Sequence, residues 1–192
     1  MDKKSWRFTP LWLLAVAYQR LDGLCHPLVG EPLNWRPRRL LQLPAKYDDF
    51  FSRYFHRVCS CCEKVPTNPV ICLLCAQLIC LDECCRVQRD SEIERHADAC
   101  SASSGLFLSL NSSLVIVVRT KMAAIWGSVY LDAHMEEDRN LRRGKPLHLS
   151  APRWRCLEHD WAEQEWQSVN QWFQLSGTNF ALQIRDAYLY NR

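Results

Sequence analysis

Apolar and polar positions alternate with recognisable periods in several parts of this chain. In residues 47–58 aromatic and aliphatic side chains recur every three or four positions, which predicts a helix with a broad aromatic face. In residues 106–110 leucines recur at every second position, and a turn-like Asn-Ser-Ser separates them from the β-branched run at residues 114–118. This predicts a β-hairpin whose second strand is buried. Residues 125–131 predict a third strand, with a kink or bulge at Gly127.

Two further helices are expected. Residues 90–99 predict a helix that begins at Asp90 or Ser91, either of which can cap its first turn. After Pro152 the pattern predicts a longer amphipathic helix that ends before Gly177. Its apolar face needs a cover, either the sheet or a partner protein. The residues of that face are Trp154, Leu157, Trp161, Val169, Trp172 and Leu175.

The first forty-three residues contain a short apolar run followed by a segment rich in proline and glycine. Residues 23–46 contain four prolines and two glycines, which is typical of an extended linker. The apolar run at residues 11–17 follows three basic residues and fits either a short signal peptide or a buried helix; we expect the helix. The predicted organisation is an N-terminal helix and linker at 1–43, an α+β domain at 44–150 that contains nine of the eleven cysteines, and a C-terminal amphipathic helix and tail at 151–192.

Nine cysteines and one histidine lie between Cys59 and Cys100. Two C-x2-C pairs each offer two sulfurs from one tight turn, which is half of a tetrahedral zinc site. His96 and Cys100 are four residues apart and face the same way on a helix. Ten candidate ligands suffice for two closed four-ligand sites, and a third would need twelve. The spacing therefore predicts two structural Zn²⁺ ions.

Short loops between neighbouring cysteine pairs favour interleaved ligation. One ion is expected to bind Cys59 and Cys62 with Cys80 and either Cys84 or Cys85, and the other to bind Cys72, Cys75, His96 and Cys100. Cys61 and one member of the Cys84–Cys85 doublet would then be left over. A disulfide framework is the alternative interpretation, and a thioredoxin-like redox motif is a weaker one because six further ligands exceed its needs. A C2H2 finger does not fit, since the gap from Cys75 to His96 is too long.

Composition narrows the function classes. A net charge of only +3 does not indicate nucleic-acid binding. No apolar run approaches the 18 residues or so that span a bilayer. An odd count of eleven cysteines with metal-type spacing favours a reducing compartment, so the cytoplasm or the nucleus is expected. No catalytic motif for hydrolysis or phosphoryl transfer is present.

The cysteine region resembles the C-terminal region of UBR-family ubiquitin ligases of the N-end-rule pathway. The resemblance is carried by PVICLLC at residues 69–75 with the ligands that follow it, LPAKYD at 43–48, SGLFL at 104–108 and YLDAHMEEDRNLRRGKPL at 130–147, and it covers about residues 34–165. The last stretch is the most specific. Two positions depart from the family pattern: Cys61, where a cysteine is unusual, and Ala76, where glycine is more frequent.

The resemblance implies a C-terminal zinc-binding structural and interaction module of a UBR-like E3 ubiquitin ligase. In such proteins substrate selection and the RING lie upstream, so this chain alone is expected to be non-catalytic. The expected partners are the upstream ligase scaffold or the ubiquitin-conjugating machinery, with ubiquitin as a further candidate. Docking is expected through the tryptophan-bearing helix and the charged loop at residues 136–145, whose acidic and basic blocks fit a structural loop equally well.

A fainter likeness points to a different class, the stand-alone ubiquitin-binding zinc finger of ubiquitin-specific proteases. Such a reader needs a concave aromatic pocket with an arginine. Trp126 with Arg119 is the candidate in this sequence.

Overall fold

The computed structural model describes residues 39–81, 85, 90–139, 141–167 and 169–175. The predicted N-terminal helix or signal peptide, most of the linker, Cys84 and the expected cap Gly177 lie outside these residues. Within the described part no helix is long and apolar enough to cross a membrane.

This part of the chain combines three helices with short antiparallel strands. The helices are α1 (Tyr47–Tyr54), α2 (Glu92–Ser101) and α3 (Ala151–Glu163). The strands are β1 (Pro69–Cys72), β2 (Leu78–Cys80), β3 (Ser104–Ser109), β4 (Leu114–Arg119), β5 (Met122–Ser128), β6 (Tyr130–Leu131), β7 (His148–Leu149) and β8 (Trp172–Gln174). The predicted α+β class with an antiparallel sheet is confirmed.

Six strands form one sheet in the order β2-β1-β3-β4-β5-β8, and β6 pairs with β7 in a separate ribbon. All pairings are antiparallel; for example, Leu106 lies opposite Val117 and Ile71 lies opposite Leu108. The predicted hairpin is therefore β3–β4. Its second strand occupies an inner position of the sheet and is buried along five of its six residues.

The predicted bulge near Gly127 is also confirmed. Val115 pairs with Gly127 but its neighbour Ile116 pairs with Ile125, so Trp126 is the extra residue on β5. Gly127 has φ +119°, a backbone conformation that residues with a Cβ rarely adopt. The bulge turns the Trp126 side chain into the core.

Both faces of the sheet are covered. Val115 and Val117 face a cluster that contains Phe50 of α1 and Leu157 of α3. On the other face, where α2 packs, the alternate side chains of β4 meet Ile93 and Ala97. Because successive side chains of a strand point to opposite faces, a strand buried on both sides needs a continuous apolar run. This explains residues 114–118.

Two helices are shorter than the sequence predicts. Helix α1 ends at Tyr54, and Phe55 is already extended at ψ 134°. Helix α3 ends at Glu163, where Gln164 adopts the left-handed conformation with φ 56°, and Trp172 lies in strand β8 rather than on the helix. The prediction of one helix through Leu175 was wrong because β8 pairs with β5, a contact that local periodicity does not reveal.

The tryptophan side chains lean towards the core. Trp154, Trp161 and Trp172 are partly buried and pack against the same cluster as Leu157, and Trp166 does likewise. The expected uncovered tryptophan stripe is thus largely covered within this chain.

Candidate metal centres

The second C-x2-C pair lies where strand β1 turns into β2. The Ala76 amide donates to the Cys72 carbonyl at 2.9 Å, and the Cys72 amide donates to the Gln77 carbonyl at 3.0 Å. These bonds fold the chain back so that Cys72 and Cys75 present their sulfurs on one side. Ala76 has φ 64°, a left-handed conformation that favours glycine.

Helix α2 supplies the other half of this group. Ser91 caps the helix: its hydroxyl accepts from the Glu94 amide and its own amide donates to the Glu94 carboxylate. This capping box fixes where the helix starts. With Ile93 and Ala97 packed on the sheet, His96 and Cys100 lie along the side of the helix nearest the β1–β2 turn.

Cys72, Cys75, His96 and Cys100 come together in what we call the helix centre. The Cys75 sulfur lies 3.3 Å from His96 Nε2, and the Cys72 and Cys100 sulfurs are 4.0 Å apart. Standard Zn–S and Zn–N lengths in a tetrahedron give edges of about 3.8 Å between sulfurs and about 3.5 Å between sulfur and nitrogen. The four atoms, all within 4.8 Å of one another, therefore fit one zinc ion.

Burial shifts the pKa values of two residues of the helix centre. Burial raises the pKa of the Cys72 thiol to about 12, because the thiolate is poorly solvated there. A divalent cation would offset this by binding the thiolate directly. Burial also lowers the pKa of His96, which favours the neutral imidazole that binds metals.

A second group, the loop centre, contains Cys59, Cys62 and Cys85. The Cys59 and Cys85 sulfurs are 3.7 Å apart, again close to a tetrahedral edge. Cys59 is fully buried, and its sulfur accepts a hydrogen bond from the Cys61 amide at 3.3 Å. Burial raises the pKa of the Cys59 thiol, as at Cys72.

Cys80 lies at the end of β2 and belongs to a group with Cys85 and Glu92. It therefore meets the loop centre through Cys85, whereas the sequence prediction placed it beside Cys59 and Cys62. Cys61 is exposed, and its sulfur lies 3.8 Å from Arg95 Nη2.

Glu92 is the residue at these centres that the sequence reasoning missed. Its carboxylate is buried beside Cys59 and Cys80. From sequence, an acidic residue in the first turn of a helix is adequately explained by the helix dipole. Only the fold brings it to cysteines that are 33 and 12 residues away.

The charged loop at residues 132–146 is organised from within. Asp132 is buried, accepts from the His134 and Glu136 amides at 2.8 and 3.0 Å, and pairs with Arg143 and Lys145 at 3.3 and 3.4 Å. The Glu136 amide first, and then these other partners, lower the pKa of Asp132 to about 2. These contacts favour the structural interpretation of the loop over a docking surface.

Trp126 does not form an open aromatic pocket. Its side chain is buried, and its indole nitrogen donates to Asp160 Oδ2 at 2.8 Å. Arg153 covers the ring, with its guanidinium carbon 5.1 Å from the ring centroid. Arg119, the arginine proposed beside it, is exposed at the end of β4.

Comparison with known protein sequences identifies a family and several relatives. The family model described as Proteolysis_6 C-terminal matches residues 21–163. The chain is 44% identical over 145 residues to the E3 ubiquitin-protein ligase ubr3 of Danio rerio, which covers 75% of this chain and 8% of the relative. Over 135 residues it is 44% identical to E3 ubiquitin-protein ligase Ubr3 of Drosophila melanogaster, covering 70% of this chain and 6% of the relative.

A plant protein also matches this chain, at lower sequence identity. E3 ubiquitin-protein ligase PRT6 of Arabidopsis thaliana is 36% identical over 125 residues, which is 64% of this chain and 6% of the relative. The chain thus spans less than a tenth of the length of these curated relatives. The family model nevertheless covers most of it. The chain therefore belongs to the Proteolysis_6 C-terminal family, the C-terminal region of UBR-family E3 ubiquitin ligases.

Proposed function

We propose that this chain is a zinc-stabilised structural and interaction module of a UBR-type E3 ubiquitin ligase of the N-degron pathway, without a RING of its own. The observation that carries the proposal is the helix centre, where three sulfurs and an imidazole nitrogen lie at tetrahedral spacing between α2 and the β1–β2 turn. A closed four-ligand site keeps no open position for water activation, so its role is structural.

Zinc content is the first test. Native mass spectrometry of protein purified under reducing conditions should find two Zn²⁺ ions per chain and no disulfides. Cys156→Ser is the matched control, because Cys156 is an exposed cysteine on α3 outside both centres. One ion or none in the wild type would contradict the proposal.

The chain is expected to be non-catalytic by itself. Incubation with a ubiquitin-loaded conjugating enzyme should leave the thioester intact, whereas the same enzyme with a complete UBR-type ligase should transfer ubiquitin to lysines. Discharge by the isolated chain, abolished by substitution of one of its cysteines, would make it an enzyme and overturn this part of the proposal.

The proposed partner is the remainder of the ligase. The tryptophans pack inward, but Phe55, Val58 and Val65 are 51, 59 and 55% exposed. The Cys59 amide donates to the Lys64 carbonyl at 2.8 Å, which holds Val58 and Val65 at the two ends of one closed loop. Exposed apolar side chains grouped in this way are typical of a protein contact.

This contact can be tested by charge insertion. Phe55→Asp with Val58→Asp should abolish co-purification with the upstream part of a UBR3-type ligase and leave the unfolding free energy nearly unchanged. Met135→Asp is the control, since Met135 is also an exposed apolar residue, at 64%, but lies on the charged loop. Retained association in the double variant would exclude this surface.

The alternative, a stand-alone reader of the ubiquitin tail, is disfavoured because Trp126 is buried and covered by Arg153. Titration calorimetry with free ubiquitin is expected to detect no binding, and saturable binding lost in Arg119→Ala would support the alternative.

We further propose that the protein resides in the cytoplasm or nucleus, where thiols stay reduced and available to zinc. Fluorescence microscopy of a tagged full-length chain tests this.

A further inference from the structure

An open pocket lies between helix α1 and the charged loop. Its volume is about 290 Å³, and its apolar lining includes Tyr47 and Phe51 of α1 and Leu141 and Pro146 of the loop. The rings of Tyr47 and Phe51 are tilted by 42°, with centroids 6.3 Å apart. An apolar cavity of about 150 Å³ is enough to hold a benzene ring. The pocket therefore has room for one aromatic side chain.

Hydrogen bonds hold both walls of the pocket in place. The Tyr47 amide donates to the Leu147 carbonyl at 3.0 Å, which ties the start of α1 to the end of the loop. Within the loop, the Asp138 carboxylate accepts from the Arg142 and Arg143 amides at 3.1 and 2.9 Å. The pocket is thus largely formed before any ligand binds, which lowers the conformational cost of binding.

Leu141 occupies an unusual conformation on the loop wall. Its φ is 53°, in the left-handed region that residues other than glycine, asparagine and aspartate seldom adopt. Residues held in such conformations cluster at binding and active sites. The Leu141 amide donates to the Asp138 carbonyl at 3.2 Å, and its side chain packs, partly buried, against the same apolar cluster as Phe51. The loop therefore keeps a large apolar side chain at the pocket in spite of the backbone strain.

The pocket carries more negative than positive charge. Asp48, which is exposed in the first turn of α1, and Asp138 both line it. Among the described lining residues, Lys145 supplies the positive charge, and it already pairs with the buried Asp132 at 3.4 Å. Two carboxylates beside a neutralised ammonium favour a ligand that brings a cation.

The pocket adjoins the surface proposed above to contact the ligase. Phe51 stacks on Phe55 with ring centroids 4.7 Å apart, and Phe55 is 51% exposed on that surface. We propose that the pocket binds an aromatic side chain from a segment of the upstream part of the ligase, and that an adjacent lysine or arginine of that segment pairs with Asp48. The charges of the loop shape its wall, and its apolar residues make the contact. This inference rests on the proposed function and specifies the chemistry of its partner.

The affinity of the zinc-loaded chain for the upstream part of a UBR3-type ligase, measured by biolayer interferometry, tests the proposal. Leu141→Asn should weaken binding by about tenfold or more, as expected for a residue that matters at an interface. It should leave the urea midpoint close to that of the wild type, because asparagine tolerates the left-handed backbone. Met135→Asn is the matched control and should bind normally, since Met135 has φ 64° and is 64% exposed but does not line the pocket.

Charge reversal in α1 gives a second pair of variants. Asp48→Lys should weaken binding by about fivefold or more, which corresponds to one exposed ion pair at the upper end of its range, and high salt should reduce this difference. Asp49→Lys is its control, because Asp49 is exposed in the same helical turn but does not line the pocket. Equal losses at the two aspartates, or wild-type affinity in Leu141→Asn, would overturn the proposal.

Cross-linking identifies the occupant of the pocket. In the Phe51→p-benzoylphenylalanine variant, light should join the chain to a segment of the upstream ligase in which an aromatic residue lies next to lysine or arginine. A cross-linked segment that lacks either residue type would contradict the proposal. If Phe55→Asp with Val58→Asp retains association, the contact surface of the proposed function fails. If that double variant loses association while Leu141→Asn and Asp48→Lys bind like the wild type, this inference alone fails.

Discussion

Replacement of Gly127 by alanine tests how the bulge in β5 is held. The Cβ of an alanine here would lie 2.6 Å from Arg153 Nη2 and 2.8 Å from Glu137 Oε1. These two side chains form an ion pair at 2.7 Å across the glycine, and the Ser128 amide also donates to Glu137 at 3.1 Å. Glycine is therefore required at position 127 for two reasons: the φ of +119° disfavours a residue with a Cβ, and the neighbouring side chains leave no space for one.

The expected cost can be built from these contacts. A residue with a Cβ in so unfavourable a conformation costs about 1–3 kcal/mol. Relief of the clash requires Arg153 and Glu137 to separate, which forfeits a partly exposed ion pair worth up to about 1 kcal/mol. The cation–π contact of Arg153 with Trp126 adds about 0.5–1 kcal/mol. Gly127→Ala should therefore lower the unfolding free energy by about 2–4 kcal/mol.

Urea unfolding of the zinc-loaded chain, followed by circular dichroism, measures this change. Gly144→Ala is the control, because Gly144 also has positive φ, +62°, but nothing lies within 4 Å of its added Cβ; it should cost only about 1–2 kcal/mol. In an Arg153→Ala background the cost of Gly127→Ala should fall by about 1 kcal/mol, since part of the clash is gone. Equal costs at both glycines, with no coupling to Arg153, would refute the reasoning.

Three further predictions concern the centres, the core and the charged loop. In the Cys72→Ser variant, metal analysis should find one zinc ion fewer, and circular dichroism should show that much of the domain is unfolded. The reason is that site formation supplies of order 10 kcal/mol of folding free energy. The Cys61→Ser variant should keep both ions. Trp161→Ala should lower the unfolding free energy by about 2–4 kcal/mol in urea, somewhat less than a fully buried tryptophan, with association to the upstream ligase unchanged; the reverse pattern would assign Trp161 to docking. At pH 7 the low pKa of Asp132 keeps its carboxylate ionised, so Asp132→Asn should lower the urea midpoint. The shift should be larger than that of Glu136→Gln, because the Glu136 side chain is 62% exposed. Equal shifts would contradict the central role of Asp132.

The parts of the fold that follow from sequence are those fixed by neighbouring residues. The β3–β4 hairpin is specified by strand periodicity around a short polar turn, and the bulge by a glycine inside a strand pattern. The start of α2 is specified by Ser91 and Glu94, which form the capping box three residues apart. In each case the deciding interaction lies within a few positions along the chain.

The parts that sequence did not predict depend on distant pairing. Trp172 continues the helical period of α3, but it is a strand residue because Ala124 of β5 lies opposite it. Strand β1 has four residues and strand β2 has three, so their strand pattern is too short to recognise. The pairing of Ile71 with Leu108 joins β1 to β3 and leaves β2 as the edge strand.

The same distinction applies to the candidate centres. The C-x2-C turn and the i, i+4 pair on α2 are local features, and the structure brings Cys72, Cys75, His96 and Cys100 together as their spacing suggests. The loop centre depends on where β2 ends relative to α2. That geometry separates Cys80 from Cys59 and Cys62 and brings in Glu92, a residue type that no cysteine count includes.

The helix centre explains why a module of this kind would need metal. Helix α2 is only ten residues long and buries few apolar side chains, chiefly Ile93 and Ala97, against the sheet. An isolated helix of this length is marginal in water, and two small contacts add little. In our proposal the helix centre fixes the middle and last turns of α2 through His96 and Cys100. A metal ion there would hold the C-terminal half of the helix against the β1–β2 turn and add to the small apolar contact of Ile93 and Ala97.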